Sequence, residues 1–246
     1  MELSGNTILI TGGATGIGLA FARRFLEAGN EVIICGRRAE RLQEAKEKFP
    51  QIHTRVCDVA VESQRVELFD WAASRFPNLN VLMNNAGIQR RVRLDESEDW
   101  EETRSEIAIN FEAPVHLSRL FLPLLQKQKR AAIINVTSGL SFVPLANVPV
   151  YSATKAALHS FTLSLRYQLR ETSVEVIEIA PPAVDTDLGG VGLHTFGVNV
   201  DEFADAMFQG LKRGETEIAY GTAAEASRAS RAELDEIFED MNRRFS

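Results

Sequence analysis

The sequence predicts an α/β protein with a doubly wound fold, in which helices cover both faces of a mainly parallel, seven-stranded sheet. Three observations predict this fold. Short runs of apolar, β-branched residues alternate with longer helical patterns along all 246 residues, which is typical of consecutive βαβ units. A glycine-rich turn follows the first run. Because no repeat, linker or low-complexity stretch interrupts the pattern, we expect a single domain over residues 1–246.

The order of the elements follows from this alternation. The expected strands are the short runs rich in β-branched residues, at 7–10, 31–35, 54–57, 81–83, 132–137, 175–180 and 217–220. The expected helices carry apolar residues at helical spacing, at 16–28, 38–48, 61–75, 100–128, 150–171, 200–213 and 228–244. Pro114 and Pro123 should bend the helix over 100–128 or move its boundaries. The last helix has an apolar stripe, which we expect to dock on the protein body or on a partner subunit.

Composition narrows the class of protein. A net charge of −7 argues against a nucleic-acid-binding protein, which would show a basic field. No apolar run is long enough to span a membrane, and the N-terminus lacks the basic region of a secretory signal. The only cysteines, Cys35 and Cys57, do not make a disulfide framework, and the four histidines lack metal-ligand spacing. We therefore expect a cytoplasmic protein without a metal site.

The glycine-rich turn is a candidate phosphate-binding site. Gly12, Gly16 and Gly18 lie between the first strand and the first helix. Glycines there allow the backbone to approach a phosphate, and the helix offers free N–H groups and the positive end of its dipole. The spacing is Gly-x-x-x-Gly-x-Gly and not the Gly-x-Gly-x-x-Gly of the general dinucleotide fingerprint. The alternative is an ordinary turn between a strand and a helix.

The end of the second strand bears on which dinucleotide is bound. An acidic residue at this point would bond the adenosine ribose of NAD, but the chain has Gly36 followed by Arg37 and Arg38. Arg37 could pair with the 2′-phosphate of NADP. The alternative is a solvated arginine at the start of a helix. We predict that NADP(H) is preferred and that NAD(H) is the weaker cofactor.

Tyr151 and Lys155 are the candidate catalytic pair. In a helix that begins near Val150 they lie one turn apart on the same face. A cation within about 4–6 Å of a phenol favours the phenolate, so Lys155 could lower the tyrosine pKa and make Tyr151 a usable acid and base. Ser138 could bond the same substrate oxygen. The pattern Tyr-x-x-x-Lys also occurs by chance, and two helical residues at this spacing are usually only neighbours.

Further motifs follow strands or lie in a helix beside the sheet, namely Asp58-Val59, Asn85-Ala86-Gly87, Asn110 and residues 181–186. In their order and spacing, all these motifs resemble those of the short-chain dehydrogenase/reductase family over essentially the whole chain. The resemblance implies a Rossmann-type fold. It also implies an enzyme of the alcohol dehydrogenase/carbonyl reductase type, in which a nicotinamide carries the hydride.

The resemblance also implies roles for individual residues. The catalytic residues would be Asn110, Ser138, Tyr151 and Lys155, with Tyr151 as general acid/base and Asn110 holding a water that relays protons to Lys155. The residues implied to bind the cofactor lie in the glycine turn and after later strands: Gly12, Thr15, Gly16, Ile17, Gly18, Arg37, Asp58, Val59, Asn85, Ala86, Gly87, Tyr151, Lys155, Pro181, Val184 and Thr186.

The chain departs from the family pattern at three places. Pro182 stands where the family usually has glycine, and Thr15 stands where NADP-preferring members often have a basic residue. The segment after Thr186, where family members bind substrate, is short and rich in glycine. Residues 228–235 resemble bacterial oxidoreductases named after the operon for D-alanylation of lipoteichoic acid, which does not identify a substrate.

The expected substrate is a small alcohol or carbonyl compound. The candidate pocket residues are mostly apolar: Ile88, Gln89, Leu140, Phe142, Val143, Val184 and Leu188. Arg90 and Arg91 could bind an acidic substrate, although a solvated loop is the alternative. The helices over 100–128 and 150–171 carry more apolar residues than one sheet face needs, and family members pair through these helices. We therefore expect a homodimer or homotetramer.

Three other functions fit the sequence less well. A non-enzymatic redox sensor that binds dinucleotide would not need Ser138, Tyr151 or Lys155, and this chain has all three. A methyltransferase on a similar sheet would not need the Tyr151–Lys155 pair, and its second strand would be expected to end in an acid. A serine hydrolase is disfavoured because the chain has no Gly-x-Ser-x-Gly motif.

Overall fold

The computed structural model describes residues 1–93 and 99–245. Within these ranges, seven strands form one parallel sheet in the order β3-β2-β1-β4-β5-β6-β7. The strands in chain order are β1 (Thr7–Thr11), β2 (Glu31–Gly36), β3 (His53–Val56), β4 (Leu79–Asn84), β5 (Ala131–Val136), β6 (Val174–Ala180) and β7 (Glu217–Ala219). The strand order reverses between β1 and β4, and such a reversal opens a crevice at the carboxyl ends of the strands.

Helices connect these strands. They are α1 (Gly16–Glu27), α2 (Ala39–Lys48), α3 (Glu62–Arg75), α4 (Trp100–Ile107), α5 (Ala113–Leu125), α6 (Pro149–Leu169), α7 (Val200–Lys212), α8 (Thr222–Ala226) and α9 (Arg231–Phe245). A π-helical turn, Ala108–Glu112, joins α4 to α5, and a 3₁₀ turn, Gly139–Ser141, follows β5. No helix in the described ranges is both long and apolar enough to cross a membrane. No three His, Cys, Asp or Glu side chains there are grouped so that they could hold a metal ion.

Two apolar cores lie on opposite faces of the sheet. Along β1, Ile8 and Ile10 belong to one core and Leu9 to the other, and all three are fully buried. The first core is completed by side chains of α1, α2 and α7, and the second by side chains of α3, α5 and α6. This alternation of side chains across a parallel sheet confirms the doubly wound fold that the sequence predicts.

The largest difference from the expected elements lies between residues 100 and 128. The sequence suggested one helix that Pro114 and Pro123 would bend or whose boundaries they would move, and the structure has α4, the π turn and α5 in its place. Pro114 is the second residue of α5 and directly follows the change from the π turn to the α-helix. Pro123 lies within α5 without ending it. The expected helix at 228–244 begins at Arg231, and the short helix α8 precedes it.

Candidate active site

The glycine turn is fastened to the segment that follows β4. The backbone N–H groups of Asn85 and Ala86 both donate to Thr11 Oγ1 at 3.0 Å. The Asn85 side chain donates to the carbonyls of Thr11 and Gly12 at 3.0 and 3.2 Å. A Cβ on Gly12, whose φ is +64°, would lie 2.9 Å from Ala86 Cα. A Cβ on Gly18 would lie 2.4 Å from Gly12 O, so both glycines are needed for the turn to pack.

The start of α1 can accept an anion. Thr15 is its N-cap residue, but its side chain makes no capping hydrogen bond. The first backbone N–H groups, from Gly16, Ile17 and Gly18, therefore lie at the positive end of the helix without a side-chain cap. A Cβ on Gly16 would lie 3.4 Å from Thr186 Cγ2, so this helix end forms a narrow cradle with Thr186. The arrangement fits a pyrophosphate.

The loops after β2 and β3 lie side by side next to this cradle. Gly36 pairs with Val56 across the two strands, and Cys57 N donates to Gly36 O at 3.0 Å. Arg37 is exposed, Asp58 is half-buried and Val59 is buried. Asp58 N donates to Gln64 Oε1 at 2.7 Å, and Asp58 Oδ1 accepts from Ala60 N at 3.0 Å. These loops are placed to receive the adenosine end of a dinucleotide.

The four candidate catalytic residues are buried at the other end of the same crevice, since Asn110, Lys155, Tyr151 and Ser138 are 0, 3, 6 and 7 % exposed. Lys155 Nζ lies 5.6 Å from the centre of the Tyr151 ring and donates to Val136 O at 2.8 Å. A Cβ on Gly87 would lie 3.4 Å from Asn110 Oδ1 and 3.6 Å from Lys155 Nζ. The loop after β4, the π turn and α6 therefore meet at one point.

The side chain of Asn110 joins the π turn to its surroundings. Asn110 Oδ1 accepts from Ile88 N at 2.9 Å, and Asn110 Nδ2 donates to Ile88 O at 2.8 Å. Asn110 Nδ2 also donates to Thr154 Oγ1 at 3.2 Å. The residue thus fixes the loop after β4 against α6. Its expected role in holding a proton-relay water stays a prediction.

Burial changes the pKa values of Tyr151 and Lys155, the candidate catalytic pair, in opposite directions. It raises the pKa of Tyr151 to about 12, against a hydrogen bond with Ser138 that lowers this pKa, and the negative charge of Glu106 raises it further. Burial lowers the pKa of Lys155 to about 8. The sequence led us to expect a lowered tyrosine pKa. That expectation is wrong for this structure, because burial of the phenol outweighs the stabilisation of its ionised form.

The loop after β6 reaches the catalytic end of the crevice. Pro181 O accepts from Gly139 N at 2.7 Å, which fastens this loop to the residue after Ser138. Val184 is buried and forms an isolated bridge with Val198. Thr186 Oγ1 donates to Val184 O at 3.3 Å. All the sequence-predicted cofactor residues therefore lie along the crevice edge of the sheet.

Several of the expected pocket residues also border the catalytic end. Leu140, in the 3₁₀ turn, donates its backbone N–H to Ser138 Oγ at 3.1 Å. A Cβ on Gly189 would lie 3.0 Å from Gln89 O, so the segment after Leu188 approaches the loop after β4.

Helix α9 borders the loop that precedes α6 and the segment after β6, and the sequence did not predict these contacts. Asn242 Oδ1 accepts from Ala146 N at 2.6 Å, and Asn147 Nδ2 donates to Phe245 O at 3.1 Å. The Phe245 ring lies 5.6 Å from the Phe196 ring. The apolar stripe of this helix was visible in the sequence, but its docking place was not, because that place depends on the hydrogen bonds of Asn242 and Asn147 as well as on the contact of Phe245 with Phe196.

Comparison with known proteins decides the family. The family model described as short chain dehydrogenase matches residues 6–191. The chain belongs to the short-chain dehydrogenase family. It is therefore an oxidoreductase with the nucleotide-binding fold of that family.

Relatives of known sequence or structure agree with this assignment. The uncharacterized oxidoreductase DltE of Bacillus subtilis (strain 168) is 54% identical over 248 residues, which cover 98% of each chain. The NADP-dependent 3-hydroxy acid dehydrogenase YdfG of Salmonella typhi is 34% identical over 212 residues, covering 85% of this chain and 80% of that protein. A short chain dehydrogenase from Burkholderia cenocepacia J2315, solved in complex with NADP, superposes with a TM-score of 0.84 at 29% identity and covers 98% of this chain and 99% of that one.

Proposed function

We propose that the protein interconverts an alcohol and a carbonyl group on a small, mostly apolar substrate, with NADP(H) as preferred cofactor and Tyr151 as general acid/base. The observation that carries this proposal is that one crevice holds a pyrophosphate cradle at the start of α1 and, beyond it, the buried side chains of Ser138, Tyr151 and Lys155. When bound, the nicotinamide supplies or accepts the hydride.

The protein residues would manage the proton. Since the pKa of Tyr151 is about 12, the phenol carries its proton at neutral pH and can donate it to the carbonyl oxygen as that oxygen gains charge. Ser138 would hold the same oxygen in place. Lys155 has a pKa of about 8, so it is mostly cationic near pH 7 and stabilises the phenolate that remains after proton transfer. In the reverse direction the phenolate form of Tyr151 would take the proton of the alcohol, so Tyr151 must first lose its own proton.

The residues present support NADP(H) as the preferred cofactor. Arg37 is exposed just beyond β2, where a 2′-phosphate would lie. The first turn of α2 has a single acidic residue, Glu40, that would oppose the binding of a phosphate. The relative from Burkholderia cenocepacia was solved with NADP, and YdfG is named as NADP-dependent. NAD(H) is the weaker cofactor in this proposal.

A second substrate class is favoured by one observation. Burial lowers the pKa of His194 in the segment after β6, and the positive charge of Arg91 lowers it further, against a hydrogen bond with the Leu188 backbone and the charge of Asp185, which raise this pKa. A cation at this place suits a substrate with an acid group, and the name of YdfG specifies a 3-hydroxy acid. A panel of matched neutral and acidic carbonyl compounds, followed by the absorbance of the reduced nicotinamide, separates the two substrate classes.

The proposal includes a homodimer or homotetramer in the cytoplasm. A cleft of about 620 Å³ lies between α4 and α6, with Trp100, Ile107 and Phe111 among its lining residues. Trp100 is 65% exposed and Ile107 is 38% exposed. Apolar side chains exposed together on neighbouring helices favour association with a second copy. A reducing compartment suits Cys35 and Cys57, which are both free thiols.

Tyr151→Phe tests the proposed function. The substitution removes only the ionisable hydroxyl, so we expect unchanged cofactor affinity and less than about a tenth of the wild-type turnover, as for loss of a general acid. The matched control is Tyr167→Phe on the same helix, because Tyr167 is 68% exposed. Turnover near the wild-type level in Tyr151→Phe would refute Tyr151 as general acid/base. A wild-type protein that binds dinucleotide but turns over none of the alcohols and carbonyl compounds tested would favour the alternative, a redox sensor without catalysis.

A further inference from the structure

Arg65 on α3 is a fully buried cation outside the catalytic centre, with 1% of its surface exposed. Its guanidinium makes hydrogen bonds in three directions. Nη1 donates to Val59 O at 2.8 Å and to Ala60 O at 3.5 Å. Nη2 donates to Glu112 Oε1 at 2.5 Å, and Nε donates to His116 Nδ1 at 2.9 Å. The planar fork of an arginine allows one side chain to hold all these acceptors.

These acceptors belong to two separate parts of the crevice. Val59 and Ala60 form the loop after β3, the expected adenosine site. Glu112 is the last residue of the π turn, and His116 lies one turn into α5. Arg65 therefore fastens the adenosine loop to the π turn across the second core.

The π turn is fastened in the same way to the next loop of the crevice. Asn110, two residues before Glu112, holds both the N–H and the C=O of Ile88. The loops after β3 and after β4 are thus both held in place relative to the same π turn. Such turns inside helical segments occur frequently at functional sites. A shift of Arg65 would move the adenosine loop relative to the catalytic end of the crevice.

Burial of the Arg65 guanidinium costs free energy of folding that an apolar side chain would not cost. A buried guanidinium loses its hydration, and hydrogen bonds with good geometry only offset that loss. An apolar side chain would fill the same core position between α3 and α5 without this cost. The bonds to backbone carbonyls of the loop show what the cation adds, since an apolar residue could not hold them.

We propose that Arg65 is a positioning residue for the adenosine half of the dinucleotide. It holds the loop at 58–60 where Asp58 and Val59 can bind adenosine, and it has no contact with the reacting atoms. The proposal rests on the proposed dinucleotide-dependent function. It predicts an effect on binding of adenosine-containing molecules and little effect on the chemical step.

The test measures dissociation constants of NADPH and of adenosine 2′,5′-bisphosphate, together with kcat at saturating NADPH. For Arg65→Met we expect about tenfold weaker binding of both ligands, the equivalent of one lost charged hydrogen bond, and kcat within about twofold of wild type. Arg65→Lys should recover part of the affinity, because an ammonium can still donate to Val59 O but cannot hold all acceptors.

The matched control is Arg24→Met. Arg24 is also buried, at 5% exposure, and bonds Ala20 O, Asp201 and Asp205 between α1 and α7. Both Met variants should unfold at lower temperature, but only Arg65→Met should lose affinity for the bisphosphate. Glu112→Gln serves if Arg65→Met does not fold, because the Glu112 side chain is 57% exposed. It should weaken binding of the bisphosphate about threefold, since the remaining amide still accepts a neutral hydrogen bond.

The outcomes are distinct. Unchanged affinity for the bisphosphate in Arg65→Met, or in Glu112→Gln where the first variant does not fold, overturns the positioning role. A fall in kcat as large as the fall in affinity also overturns it, because Arg65 would then act on the catalytic end. A wild-type protein that binds neither NADPH nor NADH overturns the proposed function, and this role with it.

Discussion

The proposed preference for NADP(H) depends on Arg37, and Arg37→Asp tests it directly. Arg37 follows Gly36, the last residue of β2, and its side chain is exposed. A hydrogen bond between charged groups contributes about 1.5–3 kcal/mol, and water and salt screen an exposed pair toward the lower value. About 1.5 kcal/mol corresponds to roughly tenfold tighter binding of NADPH than of NADH.

The substitution removes this attraction and adds a repulsion. Two unit charges about 4 Å apart in water interact by about 1 kcal/mol. We therefore expect Arg37→Asp to bind NADH about fivefold more tightly than NADPH. The assay is titration of each reduced cofactor at fixed low ionic strength, repeated at high salt, where the wild-type preference should shrink.

The control for Arg37→Asp is Arg41→Asp. Arg41 lies in the first turn of α2 and is held by Glu44 at 2.8 Å. This variant makes the same change of charge close by, so it reports the general field around the adenosine site. Equal wild-type affinities for the two cofactors, or equal shifts in the two variants, would refute a direct contact between Arg37 and a 2′-phosphate.

Two further predictions concern stability and assembly. Buried Glu178 lies 2.9 Å from His159 Nδ1 and is the main cause that raises the pKa of His159 above 6.5. The imidazolium therefore stabilises the fold fully below pH 6.5, and this contribution is lost as pH rises through the higher folded pKa. We expect wild type to melt at a higher temperature than His159→Gln near pH 5.5, and this difference to shrink as the pH rises to about 8.5. A difference that stays constant over this range would contradict the prediction. Light scattering should show a dimer or tetramer of 27.3 kDa chains, and Ile107→Asp should shift it toward monomer, while a wild-type monomer at micromolar concentration would contradict the assembly.

The parts of the site that the sequence predicts are those whose geometry is local. The glycine turn lies between one strand and the next helix, so its spacing already describes its shape. Tyr151 and Lys155 lie one turn apart on α6, and helix periodicity alone places them on one face. Parallel strands end on one edge of a sheet, which is why motifs after β1, β3, β4 and β6 could be expected to converge. Their roles as binding or catalytic residues stay predictions.

Contacts between distant segments were not predictable in this way. Arg65 meets Glu112 and His116 across α3, the π turn and α5. In the sequence Arg65 is one of 27 lysines and arginines, and arginines in helices are usually solvated. The residue types of the π turn did not separate it from a continuous helix, since Ala108–Glu112 contains no glycine or proline. A buried cation and an irregular turn together mark this region only once the fold is known.

The protonation of the candidate catalytic pair likewise depends both on the local sequence and on the surrounding fold. The Tyr-x-x-x-Lys spacing places an ammonium group near a phenol, and from this alone the tyrosine pKa should fall. Burial reverses the result, because it disfavours both charged forms, raising the pKa of Tyr151 and lowering that of Lys155. Glu106 on α4 adds a negative charge that acts in the same direction on Tyr151. The spacing therefore determines that the two groups meet, whereas the surrounding core raises the pKa of Tyr151 so that its proton is retained, as the proposed donation to a carbonyl requires.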